Sequence, residues 1–209
     1  MSKISIVMPS HLNPYVGSAS QRREKFRRAV QSFLQQTYVN KELVVVSDDC
    51  NATEEIIQKH FLSPPNIKLL RVSKQPLFSG NVREVGLRAA TGEIICYLDS
   101  DDTIGENHLS NIVNNFNTEY FDWVFFDDKI RYHHLEHLPL AEREVSLTAG
   151  MAGTSCIAHK NLPNISWDGA NGYGHDWTFI SRLMAQFPRY TKIIGGEYIV
   201  CHIPNTCDS

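Results

Sequence analysis

The 209 residues contain no paired-cysteine motif, no long basic run and no apolar run of membrane-spanning length. Cys50, Cys96, Cys156, Cys201 and Cys207 are odd in number, scattered and without a CxxC pair, which argues against both a disulfide framework and structural zinc. A reducing cytoplasm is the expected compartment. With 20 Lys and Arg against 23 Asp and Glu, the net charge of −3 leaves no basic surface to track a phosphate backbone, so no nucleic-acid partner is expected. The apolar segment at Ile4 to Met8 is too short for a signal peptide, and no stretch approaches the ~20 residues of a spanning helix. Any membrane contact is therefore expected to be peripheral, at the inner face. Repeats and low-complexity segments are also missing, which leaves one domain over residues 1–209 as the default.

What is present is an alternation of two periods. Ile4 to Met8, Leu43 to Val46, Ile67 to Val72 and Glu93 to Leu98 read as strands. Between them, Arg22 to Gln36 carries Phe26, Ala29, Val30, Phe33 and Leu34 at helical spacing. Asn51 with Glu54 resembles a capping box before Ile56 and Ile57, and Asn81 to Ala90 forms a third helix ended by Gly92. Repeated βα units imply parallel strands with right-handed crossovers. The expected fold is an α/β sandwich with a mostly parallel central mixed sheet flanked by helices. Beyond Asp102 the rhythm changes: Glu106 to Phe116 reads as a helix and Trp123 to Phe126 as a strand. Asp128 to Gly153 reads as a polar excursion, His175 to Gln186 as a helix, and Tyr190 to Ile194 and Tyr198 to Cys201 as short strands.

The fourth strand carries the strongest chemical signal. Ile94-Ile95-Cys96-Tyr97-Leu98 is continuously apolar, as a strand buried on both faces must be, and it stops in Asp99-Ser100-Asp101-Asp102. Pro9-Ser10 ends the first strand and Asp48-Asp49 the second, so in a parallel sheet these tips share one edge. Two like charges ~4 Å apart repel by roughly 4 kcal/mol at an effective dielectric of 20, so five carboxylates there require cationic or hydrogen-bonding partners. A divalent cation with hard oxygen ligands, Mg²⁺ or Mn²⁺, is one answer, and it points to a phosphorylated or diphosphate substrate. The plainer reading is an acidic turn with Asp101 or Asp102 capping the next helix. The triplet His133, His134 and His137 lacks the spacing of zinc motifs and reads as a solvated loop.

Ile4-Ser5-Ile6-Val7-Met8-Pro9-Ser10, Ser32 to Tyr38, Glu42 to Asp49, Gly92 to Asp102 and Gly174-His175-Asp176-Trp177 resemble, in order and spacing, the signatures of family 2 glycosyltransferases with the GT-A fold. The resemblance covers nearly the whole chain. It implies a nucleotide-sugar-binding half over residues 1–102 and an acceptor-binding half over 103–209. It also implies inverting, divalent-metal-dependent transfer of a sugar from a nucleotide-diphosphate sugar, a UDP-sugar as first choice, to a hydroxyl of a glycan or lipid-linked acceptor. Single addition is expected over polymerisation. Residue by residue, the resemblance puts Pro9, Ser10 and Asp49 around the base, Arg83 at the base or diphosphate, and Asp99 near the ribose. Asp101 becomes a ligand of Mn²⁺ or Mg²⁺, with His202 as a further candidate ligand, and Asp176 the catalytic base. Read from position alone, Asp176 is an N-terminal helix residue favoured by the dipole. Gly172-Tyr173-Gly174 with Trp167 either borders the acceptor or forms a turn with core aromatics.

Two positions depart from the family pattern: Glu84 stands in place of an Asn and His11 in place of a Tyr. Two other readings compete. Leu98 to Thr103 also resembles the DxDxT motif of haloacid-dehalogenase-like phosphatases, with Asp99 as nucleophile, Asp101 as acid/base and Asp127-Asp128 as later metal ligands. That motif normally ends the first strand of its domain, whereas three βα units precede it here. A nucleotide-binding module without turnover is the non-enzymatic alternative.

Overall fold

The computed structural model describes residues 1–61, 65–118, 120–131 and 140–201. A seven-stranded sheet runs in the order β10-β6-β9-β4-β1-β2-β3, in which β1 is Ile4–Ser10, β2 Lys41–Asp48, β3 Ile67–Val72, β4 Ile94–Tyr97, β6 Trp123–Phe126, β9 Ile157–Lys160 and β10 Tyr190–Ile193. All neighbours are parallel except β9, which runs antiparallel to both β4 and β6. A second sheet, β5-β11-β7-β8, comprises Thr103–Ile104, Tyr198–Val200, Asp128–Ile130 and Ala141–Arg143. The sandwich expected from the sequence is thus observed.

Side chains alternate across the central strands, as the two-residue strand period requires. Ile4, Ile6, Met8, Ile94, Cys96 and Leu98 join one core. There they pack with Phe26, Ala29, Val30 and Phe33 of α1 (Arg22–Leu34), Ile56 and Ile57 of α2 (Asn51–His60) and Leu109, Ile112 and Val113 of α4 (His108–Thr118). Val7, Ile95 and Tyr97 face the other way. They meet Leu87 of α3 (Asn81–Ala89) and Phe179, Ile180 and Leu183 of α5 (His175–Gln186). Gly86 allows α3 to lie close on the sheet, because a Cβ there would come within 2.5 Å of Val7 Cγ1.

Three local expectations are corrected. Asn51 is the first residue of α2 and not its cap; Glu54 instead accepts from Ser47 Oγ at 3.1 Å and from Arg71 at 2.6 Å, so no capping box forms. The stretch after Asp128 contains the short strands β7 and β8. At three residues each they are too short for an alternation to show in the sequence. The acidic turn after β4 caps no helix, since β5 follows directly and α4 starts at His108. The His133, His134 and His137 triplet lies outside the described residues.

Buried histidines give the fold a defined response to acid. Nδ1 of His108 accepts the Glu197 N–H at 3.0 Å, and burial pushes the ring down to about 3. His159 accepts from Tyr97 at 2.8 Å while its Nδ1–H donates to the Lys160 carbonyl at 2.8 Å, and burial pushes it down to about 4. The unfolded chain protonates both rings near 6.5. Below that pH it takes up protons that the folded state refuses, so stability is full above 6.5 and falls towards pH 3. Glu42 acts in the same direction lower down: burial alone would raise it, but Lys3, Ser5 and Thr91 outweigh burial and hold it at about 2. Its contribution is present above 4.5 and is lost as pH falls through about 2. Thermal unfolding between pH 8 and pH 3.5 should show a melting temperature level above 6.5 and declining below it. His108→Asn, which keeps an acceptor but cannot titrate, should flatten that decline.

Candidate active site

The parallel register places Ser10 beside Ser47 and Val7 beside Tyr97, so the tips of β2, β1 and β4 stand next to one another at one sheet edge. Each carboxylate there has a different environment. Asp48 is buried and accepts the Gln75 N–H at 2.7 Å together with the Lys74 ammonium. Asp49 is exposed, adopts φ +49°, which Asp tolerates, and holds Arg71 at 2.5 Å through Oδ1. Asp102 is buried and accepts the Tyr198 hydroxyl at 2.8 Å and the Cys201 N–H at 2.7 Å. Burial, with Asp101 and Asp99 beside it, pushes its carboxyl well above the usual range. Tyr198 also accepts the Asp99 N–H at 3.0 Å, so one phenol clamps both ends of the acidic turn.

Protein groups thus answer four of the five carboxylates, and the repulsion at this edge needs no cation for those four. Asp101 is different: it has no hydrogen-bond or ion-pair partner among the described residues. Nor do three His, Cys, Asp or Glu side chains converge as a metal cage among them. A carboxylate with no protein partner among the described residues, at the edge where the strand tips meet, fits Mg²⁺ or Mn²⁺, which use one or two protein carboxylates and complete their shell with water and phosphate oxygens. His202 lies outside the described residues.

Around Asp99 a cluster assembles from three distant segments. Arg83 of α3, 7% exposed, donates to Asp99 Oδ1 at 2.6 Å through Nη2, and its Nη1 lies 3.1 Å from His175 Nε2. Burial opposes the charge on Arg83, but Asp99 and Asp176 outweigh it and raise its pKa. Its guanidinium lies 5.3 Å from the centre of the buried Trp167 ring, which stacks on Phe179 at 4.0 Å. Asp176, in the first turn of α5, accepts the Thr154 hydroxyl at 3.1 Å and lies 3.2 Å from His175 Nε2. The structure therefore brings Arg83, Asp99 and Asp176 together in one cluster.

Other candidates fall into place around this cluster. Pro9 is half-buried, whereas Ser10 is buried with its hydroxyl 2.8 Å from Thr53 Oγ1, so that hydroxyl is engaged within the protein. His11 Nδ1 lies 3.0 Å from the Asp48 carbonyl. Glu84, the departure from the family pattern, accepts the Trp167 N–H at 2.7 Å and Arg88 at 2.6 Å, and so fixes the loop that carries Trp167. That loop meets the one before α3 at Gly80, whose N–H donates to the Ala170 carbonyl at 2.8 Å and whose missing Cβ would strike Trp167. Trp167 is a core platform and borders no open space. Tyr173, 79% exposed, and Phe78, 42% exposed with φ +57°, meet edge to face at 5.6 Å beside His175. Asp127 and Asp128, required as metal ligands by the phosphatase reading, are instead held by Lys192 at 2.8 Å and by Arg143 at 2.7 Å.

Sequence reasoning gave no role to Thr154 or Tyr198; it named His175 only within the Gly174–Trp177 signature and Glu84 only as a departure from the family pattern.

Comparisons with known proteins bear on the family and the fold. The family model described as Glycosyl transferase family 2 matches residues 5–155. Minor teichoic acid biosynthesis protein GgaB of Bacillus subtilis (strain 168) is 32% identical over 185 residues, covering 81% of this chain and 21% of that protein. The UDP-Glc:alpha-D-GlcNAc-diphosphoundecaprenol beta-1,3-glucosyltransferase WfgD of Escherichia coli is 35% identical over 106 residues, covering 51% of this chain and 38% of its own length. The chain thus spans well under half of these two relatives. The crystal structure of S. aureus TarS 1-349 in complex with UDP superposes with a TM-score of 0.74 at 17% identity, covering 95% of this chain and 60% of that one, a likeness of fold. The match over residues 5–155, on a GT-A sandwich with its acidic strand tips at one edge, shows that the chain belongs to glycosyl transferase family 2.

Proposed function

We propose that the chain catalyses inverting transfer of a sugar from a nucleotide-diphosphate sugar to a hydroxyl of a glycan or lipid-linked acceptor. The observation that carries this reading is the carboxylate of Asp176, held by Thr154 within the same cluster as Arg83 and Asp99 at the edge where open α/β sheets bind ligands. A uridine diphosphate donor is favoured by the fold shared with TarS, which has been solved with UDP and with UDP-GlcNAc. Relatives named for teichoic acid and for poly(ribitol-phosphate) glycosylation support a cell-surface glycan as acceptor.

The proposed roles follow from chemistry. An acceptor hydroxyl attacking an anomeric carbon must lose its proton, and Asp176 is the carboxylate placed to take it. Pro9, the main chain of Ser10 and the free oxygen of Asp49 line the side for the base. Arg83 supplies fixed positive charge beneath the diphosphate, where negative charge grows as the donor bond breaks. Asp101 would hold Mg²⁺ or Mn²⁺, whose chemistry is to stabilise the departing diphosphate. Phe78, beside His175 and edge to face with Tyr173, offers apolar ring surface suited to the acceptor. Among the described residues no helix is long and apolar enough to cross a membrane, so contact with a lipid-linked acceptor would be peripheral.

A thermal-shift panel of nucleoside diphosphates and nucleotide sugars, with and without Mn²⁺, tests donor and metal together. Uridine nucleotides should raise the melting temperature more with the metal than without it, and Asp101→Ala should abolish the difference. An unchanged metal-dependent shift in Asp101→Ala would remove that residue as the ligand. Binding of nucleotide with no transfer to any acceptor would favour the inactive module.

A further inference from the structure

The ring of His175 joins the buried arginine to the carboxylate, and its contacts define its protonation. Nδ1 lies 3.0 Å from the Gly172 carbonyl oxygen, an atom that only accepts, so Nδ1 carries the hydrogen. Nε2 lies 3.1 Å from Arg83 Nη1, an atom that only donates, so Nε2 presents its lone pair. Together the two contacts fit the neutral ring with its hydrogen on Nδ1. The ring is enclosed by Trp167 at 6.2 Å and Phe78 at 6.3 Å, and the residue is 7% exposed. The charged groups that face it are Arg83 from α3, Asp99 from the end of β4 and Asp176 from its own helix. Burial lowers its pKa first, Asp176 and Asp99 oppose, and Arg83 adds to the lowering. Nε2 is also 3.2 Å from Asp176 Oδ1. With no hydrogen on Nε2, that approach is not a hydrogen bond.

We propose that His175 is a positioning residue: as a neutral hydrogen-bond acceptor it pins the Arg83 fork onto Asp99 and makes no hydrogen bond to the neighbouring Asp176 carboxylate. The proposal rests on reading Asp176 as the base. One guanidinium then serves two acceptors, Asp99 through Nη2 and His175 through Nη1, which fixes its plane. An imidazolium in the same place would do the reverse, repelling Arg83 and donating its Nε2–H to Asp176.

The test uses the full chain with three readouts. Long-range ¹H–¹⁵N NMR at pH 7 should show His175 Nδ1 protonated and Nε2 bare. The opposite tautomer, or an imidazolium, overturns the proposal. In transfer kinetics His175→Leu should lower kcat tenfold or more, because Arg83 is released. His175→Gln, whose Oε1 still accepts from Arg83, should stay within about threefold of the wild type. Equal losses in Gln and Leu, or no loss in Leu, overturn the acceptor role. Melting temperatures separate misfolding from mispositioning; should the Leu variant not fold, the tautomer and the Gln variant decide. If Asp176→Asn kept transfer, the base reading would fail while the NMR result still reported on the Arg83 contact.

Discussion

Asp176→Asn should lower turnover by about 10²- to 10⁴-fold, the usual share of a positioned general base, while leaving donor binding within a few-fold. The amide matches the carboxylate in shape, and its oxygen still accepts the Thr154 hydroxyl that is 3.1 Å from Oδ1 in the native site. The first turn of α5 and the Trp167–Phe179 stack beneath it are undisturbed, so the variant should melt close to the wild type. What it loses is the ability to accept a proton from the attacking hydroxyl. The measurement is kcat with donor saturating, set beside the uridine nucleotide thermal shift. A variant that binds donor normally and still turns over at a tenth of the native rate or more would remove Asp176 from the mechanism. One that fails to bind donor would make it a structural residue of the cleft. Thr154→Val sharpens the distinction, because it removes the orienting hydrogen bond without touching the carboxylate.

Much of this site was legible in the sequence because it lies at the ends of buried strands. Ile94 to Leu98 is apolar at every position, so it reads as a strand covered on both faces, and wherever such a strand stops the next residues lie at the sheet edge. The same logic placed Pro9-Ser10 and Asp48-Asp49 on that edge. The partners were not legible, since they arrive from far along the chain. Tyr198 reaches Asp102 across 96 residues, Arg83 reaches His175 across 92, and Glu84 reaches the Trp167 N–H across 83. A pattern of local periodicity carries no record of such contacts. This is also why charge repulsion at the acidic tip seemed to demand a cation. Arg83, Tyr198 and the Cys201 N–H take up much of that demand, and Asp101 alone keeps the argument for a metal.

Arg83→Leu should reduce transfer a hundredfold or more, and Arg83→Lys should restore little of it. The argument turns on geometry as well as charge. A hydrogen bond to a charged partner contributes about 1.5–3 kcal/mol, and Arg83 makes one to Asp99 and donates another to His175 from the same planar group. Leucine removes both and leaves the half-buried Asp99 beside Asp101 with no cation among its described neighbours. Lysine keeps the charge, but its single ammonium on a flexible stem cannot span two acceptors in one fixed plane, nor lie over Trp167 as the guanidinium does at 5.3 Å. The Leu variant should therefore raise the donor KM and lower kcat together, as expected when an electrostatic clamp and the alignment of the base are lost at once. In Lys the KM should recover in part, through charge, while kcat stays low. Full recovery of both in Arg83→Lys would show that only the positive charge matters, and the clamp between Asp99 and His175 would then have no part in catalysis.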